Sequence, residues 1–324
     1  MRAAIVSAAG QAPPLAERPV PIPAPGESPV RVSAAAISHL VKARASGAHY
    51  TVDAQLPLGV GMDGAGLLDG GSRVYFATPR APYGSMAEYA VVDVRLCVPV
   101  PDGPNDLTAV AIANPGMSSW AALTERARMK PGETVLINGA TGTAGRLAVQ
   151  IARLLGTGRI VSIGRNVCAL EEVRSLGADV TIRLVEDMLE NRGDLQHRFM
   201  EEFAQGVDVV PDYLWAASAK NLLIATASAG RDAIPMRSVQ IGSISAADIT
   251  LPGGIMRASA IELMGSGGGS IALPRLIAVI GEVLHAAASD GLKIAFTPVP
   301  FSAFDTTWHQ DNSACRTVFA MEGA

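Results

Sequence analysis

The sequence predicts a mixed α/β fold, with a doubly wound parallel sheet set into a β-rich domain. Three observations predict it. At mid-chain, Val135–Gly145 reads V-L-I-N-G-A-T-G-T-A-G: an apolar strand runs straight into a glycine-rich turn, and a helix-like segment follows with Leu147, Ala148, Ile151, Leu154 and Leu155 on one face. From about 118 to 265, strand-like and helix-like segments alternate, as in a parallel sheet with right-handed crossovers. Residues 1–100 instead carry short apolar runs broken by Pro and Gly, and strand-like runs return after Lys293.

Taken in order, Arg2–Ser7 reads as a first strand. Its apolar run is too short for a secretory signal, and Pro13, Pro14, Glu17 and Arg18 follow at once. Pro19, Pro21, Pro23 and Pro25 mark an extended connector. Val30–Ala36, Arg73–Ala77 and Ala87–Val92 read as strands of the β-rich part. In the alternating region the strands are Val135–Asn138, Arg159–Ile163, Val180–Arg183, Val207–Pro211 and Val239–Ser243, with helices at 142–155, 167–176 and 194–205. A further helix spans 272–288, and the tail, with Val299, Phe301, Phe304 and Val318–Met321, reads as strands. The predicted organisation is 1–117 as the first part of the β-rich domain, 118–265 as the inserted domain, and 266–324 as its end and the return.

The bulk composition narrows the function classes. A net charge of −4 argues against a nucleic-acid-binding surface, and no apolar run reaches the roughly 18 residues of a membrane span. Cys97, Cys168 and Cys315 are far apart, which excludes a disulfide framework and a Cys-rich zinc site and favours a cytoplasmic protein.

Strand, glycine turn and helix in that order suit a dinucleotide pyrophosphate, the Rossmann arrangement. Gly139 allows the tight turn, Gly142 lets the backbone approach the phosphates, Gly145 lets helix and strand pack closely, and the helix N-terminus at Thr143 and Ala144 offers N–H groups to the anion. Two rivals lose on residues. A P-loop needs Gly-Lys-Ser/Thr, whereas Gly145 is followed by Arg146 and Leu147. Short-chain dehydrogenases carry the turn near the N-terminus and use Tyr-x-x-x-Lys, and none of the five tyrosines has Lys four residues on. The next strand ends in Gly164-Arg165-Asn166, with Arg165 lying 20 positions after Gly145 and no acid at the tip. A guanidinium there suits a ribose 2′-phosphate, so the expected cofactor is NADPH.

These residues, with V-R-V-S-A-A-A-I-S at 30–38, P-L-G-V-G-M-D-G-A-G at 57–66, Y-G-S-M-A-E-Y at 83–89 and N-P-G-M-S-S-W-A-A-L at 114–123, resemble the medium-chain dehydrogenase/reductase superfamily, and within it the zinc-independent quinone oxidoreductases. The resemblance implies a GroES-like catalytic domain beside the Rossmann domain, a homodimer, and hydride transfer to quinones or α,β-unsaturated carbonyl compounds. It also implies cofactor contacts at Met117, Ser118, Ile241, Gly242, Gly265 and Ser266. Zinc-dependent members have Cys where Ser38 stands and Gly-His-Glu where this chain has Gly59-Val60-Gly61, so no metal is expected. Quinone reductases usually carry Asn at the Ser38 position and Asp three residues on, where Val41 stands here. Ser38 and Tyr50 are the candidates for stabilising the substrate oxyanion. Two other functions remain open: an enoyl-thioester reductase, and an NADPH-binding sensor or scaffold with weak turnover.

Overall fold

A computed structural model describes residues 1–8, 10–48, 56–185, 193–229, 232–310 and 315–322. The chain folds as two compact units, Met1–Asn114 with Pro274–Ala324, and Pro115–Leu273. The divisions fall at 114/115 and 273/274.

The first unit contains β1 (Arg2–Val6), β2 (Leu15–Glu17), β3 (Glu27–Ala36), α1 (His39–Ala45), β4 (Leu58–Gly59), β5 (Asp63–Leu68), β6 (Arg73–Ala77), β7 (Tyr89–Asp93), β8 (Cys97–Pro99) and the start of α2 (Asp106–Ala121). A three-stranded sheet has the order β2-β1-β4, with β1 antiparallel to both neighbours. In the larger sheet, β3 pairs with both β5 and β7, and β5 continues to β6 and β8. Its core holds Val30, Val32, Phe76 and Met86 together with Phe301, Phe304 and Phe319 from the C-terminal return.

The second unit is built on β9 (Thr134–Asn138), α3 (Thr143–Leu154), β10 (Arg159–Gly164), α4 (Val167–Ser175), β11 (Val180–Arg183), α5 (Gly193–Gln205), β12 (Val209–Asp212), α6 (Ala216–Ser228), β13 (Met236–Gln240), α7 (Gly253–Arg257) and β14 (Ile261–Gly265). The sheet order is β11-β10-β9-β12-β13-β14 and every pairing is parallel, which is the doubly wound order with its reversal between β9 and β12. The strands read as apolar runs because helices cover both faces of such a sheet.

The chain returns to the first unit through α8 (Leu273–Ser289), β15 (Phe296–Pro300), α9 (Phe304–Thr307) and β16 (Arg316–Ala320), and β16 pairs with β15 and β3.

Three expectations need correction. Phe301 and Phe304 are not in strands: β15 ends at Pro300, and the two residues lie on a short 3-10 turn and on α9. Three positions apart, they share one face of that helical stretch and bury both rings against Phe319, with centroids 6.0 and 5.1 Å away. The expected strand Val239–Ser243 runs instead from Met236 to Gln240. Near its start Arg237 pairs with Glu133 at 2.7 Å, and its end is set where Ile241 and Gly242 both donate to the Asp212 carbonyl. On α3, Leu154 is exposed at 39%, and Val149 and Ala152 are buried with Leu147, Ala148 and Ile151.

Candidate cofactor site

Because the strands of the second unit are parallel, their carboxyl ends share one edge of the sheet. Gly139, Gly164, Ile241, Gly242, Gly265 and Ser266 stand at the ends of β9, β10, β13 and β14 on that edge. The turn after β9 is tied to β10, since the Gly139 and Ala140 N–H groups both donate to the Ile163 carbonyl, at 3.1 and 2.8 Å. Gly139 has φ +95°, a left-handed conformation that favours glycine. At Gly145 a Cβ would lie 2.2 Å from the Gly139 carbonyl oxygen, so only glycine lets α3 start this close to the strand end.

Gly142 is different. Its φ of −75° suits any residue, and a Cβ there would meet nothing nearer than the Gly139 oxygen at 3.7 Å. It is also the N-cap of α3 and supplies no side-chain hydrogen bond to the first turn. The fold therefore does not require glycine here, and the glycine leaves open backbone at the positive end of a 12-residue helix. This is the fit expected of a pyrophosphate cradle, with Thr143, Ala144 and Gly145 forming the first turn. Arg146 closes the turn from behind: its Nε donates to the Thr141 carbonyl, and its guanidinium pairs with Glu172 at 2.7 Å.

At the tip of β10, a Cβ on Gly164 would lie 2.4 Å from Thr141 Cγ2, so Gly164 lets the two loops meet. Arg165 follows as an exposed cation. The Asn166 side-chain oxygen accepts from the Ala169 N–H at 3.0 Å and caps α4.

The end of β12 holds a polar network that the sequence did not disclose. Asp212 is 1% exposed; its Oδ1 accepts from Asn138 Nδ2 at 2.7 Å and from the Leu214 and Trp215 N–H groups at 3.0 and 3.1 Å. Asn138 Nδ2 also donates to Ser218 Oγ. Burial pushes the Asp212 carboxyl above its ordinary range, against the opposing pull of those hydrogen bonds. The network holds Trp215 at φ +62°, ψ −148°, a region open essentially only to glycine, and Ala216 follows at φ +55°. Such a conformation costs about 1–3 kcal/mol. Nearby, Tyr213 Oη lies 2.7 Å from Ser119 Oγ, which is 3.1 Å from the Ala144 carbonyl. This chain of contacts links the end of β12 to the first turn of α3 through α2. Burial raises the Tyr213 phenol well above its ordinary value, so it remains protonated. Met117 and Ser118, on the same helix, are half-buried, and the Ser118 hydroxyl donates to the Pro115 carbonyl at 2.8 Å.

Ser38 belongs to the first unit. There it is the N-cap of α1, accepting from the Val41 N–H at 3.2 Å, while Val41 is 2% exposed in the core. The capping role was readable from a Ser immediately before a helical run. Tyr50 and His49 lie outside the described residues. A cavity of about 170 Å³ in this unit is lined by Val41, Arg44, Val60, Met62, Thr78 and Tyr83, among others. Among the described residues, no group of three or more His, Cys, Asp or Glu is placed to hold a metal ion.

The first unit also contains a buried ion pair that the sequence did not disclose. Asp63 and Arg316, 2% and 8% exposed, approach to 3.8 Å, with Tyr75 Oη donating to Asp63 at 2.9 Å and Arg316 Nη1 donating to the Ala111 carbonyl.

No protein-family model matches the chain. It is 29% identical, over 90% of its length and 92% of the relative's, to a probable NADPH-dependent quinone reductase of Emericella nidulans. It is 27% identical, over 42% of its length and 37% of the relative's, to a trans-enoyl reductase of Aspergillus terreus. Among solved structures, the quinone oxidoreductase of Thermus thermophilus, also solved with NADPH, superimposes with a TM-score of 0.77 at 23% identity, over 99% of this chain and 100% of that one. That likeness establishes the shared fold.

Proposed function

We propose that this chain, similar in sequence and fold to the quinone oxidoreductase-like medium-chain reductases, is an NADPH-dependent oxidoreductase that delivers hydride to quinones or α,β-unsaturated carbonyl compounds without zinc. The observation that carries this reading is the turn at 139–145, where Gly142 is glycine although the fold has room for a side chain. Bound NADPH would supply the hydride; the protein binds it, orients it and excludes water.

In this reading Gly142, Thr143, Ala144 and Gly145 hold the pyrophosphate by backbone N–H groups. Gly164 and Arg165 face the adenosine ribose, and the Arg165 guanidinium pairs with the 2′-phosphate. Met117, Ser118, Ile241, Gly242, Gly265 and Ser266 flank the cofactor. Ser38 keeps its hydroxyl hydrogen while its oxygen caps α1, so it can still donate to a substrate oxygen. Tyr50 is a second donor in the proposal.

The direct test follows loss of the reduced-nicotinamide absorbance with ortho- and para-quinones, enones and enoyl thioesters. Oxidation of NADPH by quinones or enones is the expected result. A preference for enoyl thioesters would favour the second reading, an enoyl reductase, which the likeness to the Aspergillus relative supports. NADPH binding with no turnover on the panel would favour a sensor or scaffold.

Replacing Arg165 with Ala is expected to lower the ratio of NADPH to NADH affinity about tenfold or more, the worth of charged hydrogen bonds to a phosphate. Titration calorimetry with both cofactors measures it, and an unchanged ratio removes Arg165 from the specificity assignment.

Among the described residues no helix is long and apolar enough to cross a membrane. A cytoplasmic homodimer is the proposed state. β14 is the edge strand of its sheet, and Leu263 on it is 39% exposed, which supports pairing with a second copy. Leu263→Asp should then yield a monomer by light scattering after gel filtration, with secondary structure retained.

A further inference from the structure

Of the three residues that follow β12, two have side chains whose roles the protein itself explains. Tyr213 is anchored through its hydroxyl to Ser119. Leu214 is 9% exposed and packs in the core of the second unit. Trp215 has no such explanation. It is half-buried, and its backbone donates to Asp212 and accepts from Ser218 and Ala219. Among the described residues, its indole has neither a ring partner nor an acceptor for its N–H. Yet this residue occupies φ +62°, ψ −148°, where glycine would sit without strain.

A fold does not keep its largest side chain in a glycine conformation for packing that it does not provide. The Asp212–Asn138–Ser218 network is what holds the strained loop in place, and it is fully buried at the carboxyl end of β12. That strand end borders β9, at the reversal of strand order where an open α/β sheet binds its ligand. Strain maintained by a buried network at a ligand-binding edge has a purpose when the side chain contacts the ligand.

We infer that Trp215 is a cofactor-contacting residue, retained at the expense of fold stability so that its indole packs against a flat ring of the bound dinucleotide. This rests on the NADPH reading above. Adenine and nicotinamide share the required chemistry, a planar heterocycle that stacks on an aromatic face.

The test compares wild type, Trp215→Gly and Trp215→Phe by thermal unfolding and by calorimetric titration with NADPH and with 2′,5′-ADP. Trp215→Gly should unfold at the same or a higher temperature than wild type, while its NADPH affinity falls about 5- to 150-fold, the range of one lost aromatic–base stack. Trp215→Phe should recover part of that affinity. Loss of 2′,5′-ADP affinity as well would assign the ring to adenine; loss with NADPH alone would assign it to nicotinamide. A role in structure alone would move stability and affinity in the same direction. Unchanged NADPH affinity in Trp215→Gly overturns the inference, and so does a Trp215→Gly chain less stable than wild type, because the indole would then serve the fold. A wild-type protein that binds no NADPH overturns both this inference and the functional reading, whereas wild-type binding that Trp215→Gly shares overturns only the inference.

Discussion

Gly142→Ala is expected to leave the protein folded and to weaken NADPH binding about 10- to 100-fold: the backbone N–H is kept, but the added methyl stands where the phosphate must approach it, at a cost of about one charge-assisted hydrogen bond. Its neighbour in the motif should behave differently. Gly145→Ala places a methyl 2.2 Å from the Gly139 oxygen and 2.7 Å from Ala140 Cα, both backbone atoms with no flexible side chain to give way. Overpacking of this kind costs about 1–3 kcal/mol or more, so Gly145→Ala should lower the thermal midpoint and lose NADPH binding together. At Gly142 the nearest atom is 3.7 Å from the added carbon, and the fold should lose less than about 1 kcal/mol, the difference between Gly and Ala at an N-cap. Thermal unfolding and cofactor titration on the two variants separate a glycine that the ligand needs from a glycine that the helix needs. If Gly142→Ala binds NADPH as wild type does, the turn is not the phosphate cradle.

Arg316→Met is expected to destabilise the protein by about 3–5 kcal/mol at neutral pH, because it strands the Asp63 carboxylate in the core of the first unit. Burial already holds Asp63 above its ordinary value, against the opposing effects of Arg316 and the Tyr75 hydrogen bond. The sign of the pH dependence follows from that direction. A carboxyl whose folded pKa is raised binds its proton more tightly folded than unfolded, so its contribution to stability is complete below the unfolded value of about 3.9 and declines as pH rises through the folded one. Removing Arg316 raises the folded value further. The variant should therefore lose stability more steeply with rising pH than wild type and recover part of it on acidification. Adding Asp63→Asn to Arg316→Met should restore most of the loss at neutral pH, since no buried charge remains. Denaturant titrations of both chains across the acidic-to-neutral range measure this. Equal pH slopes in wild type and Arg316→Met would show that Arg316 does not govern the Asp63 charge.

What could be read from the residues, and what could not, follows the range of the forces. Gly139 and Gly145 are visible in sequence because a positive φ and a 2.2 Å approach each demand glycine at one position. The alternating strands and helices are visible because two faces of a parallel sheet must be covered. Ser38, read from the sequence as a candidate to stabilise the substrate oxyanion, also caps α1. By contrast, Phe301 and Phe304 have strong strand propensity and still take helical turns, because that places both rings on Phe319. Arg237 lies inside β13, and Glu133, distant in sequence, receives its charge.

The chain's local chemistry is enough to specify a glycine-rich turn, its helix, an acid-free strand tip at Arg165 and the doubly wound sheet, since each depends on backbone conformation or on residues close in sequence. The tertiary fold brings Asp63 to Arg316, Tyr213 to Ser119 and Asn138 to Asp212, each pair far apart in the chain and joined only when the core excludes water. It also decides the backbone angles of Trp215. No property of tryptophan predicts a glycine conformation, and only the hydrogen bonds of a buried Asp212 hold it there.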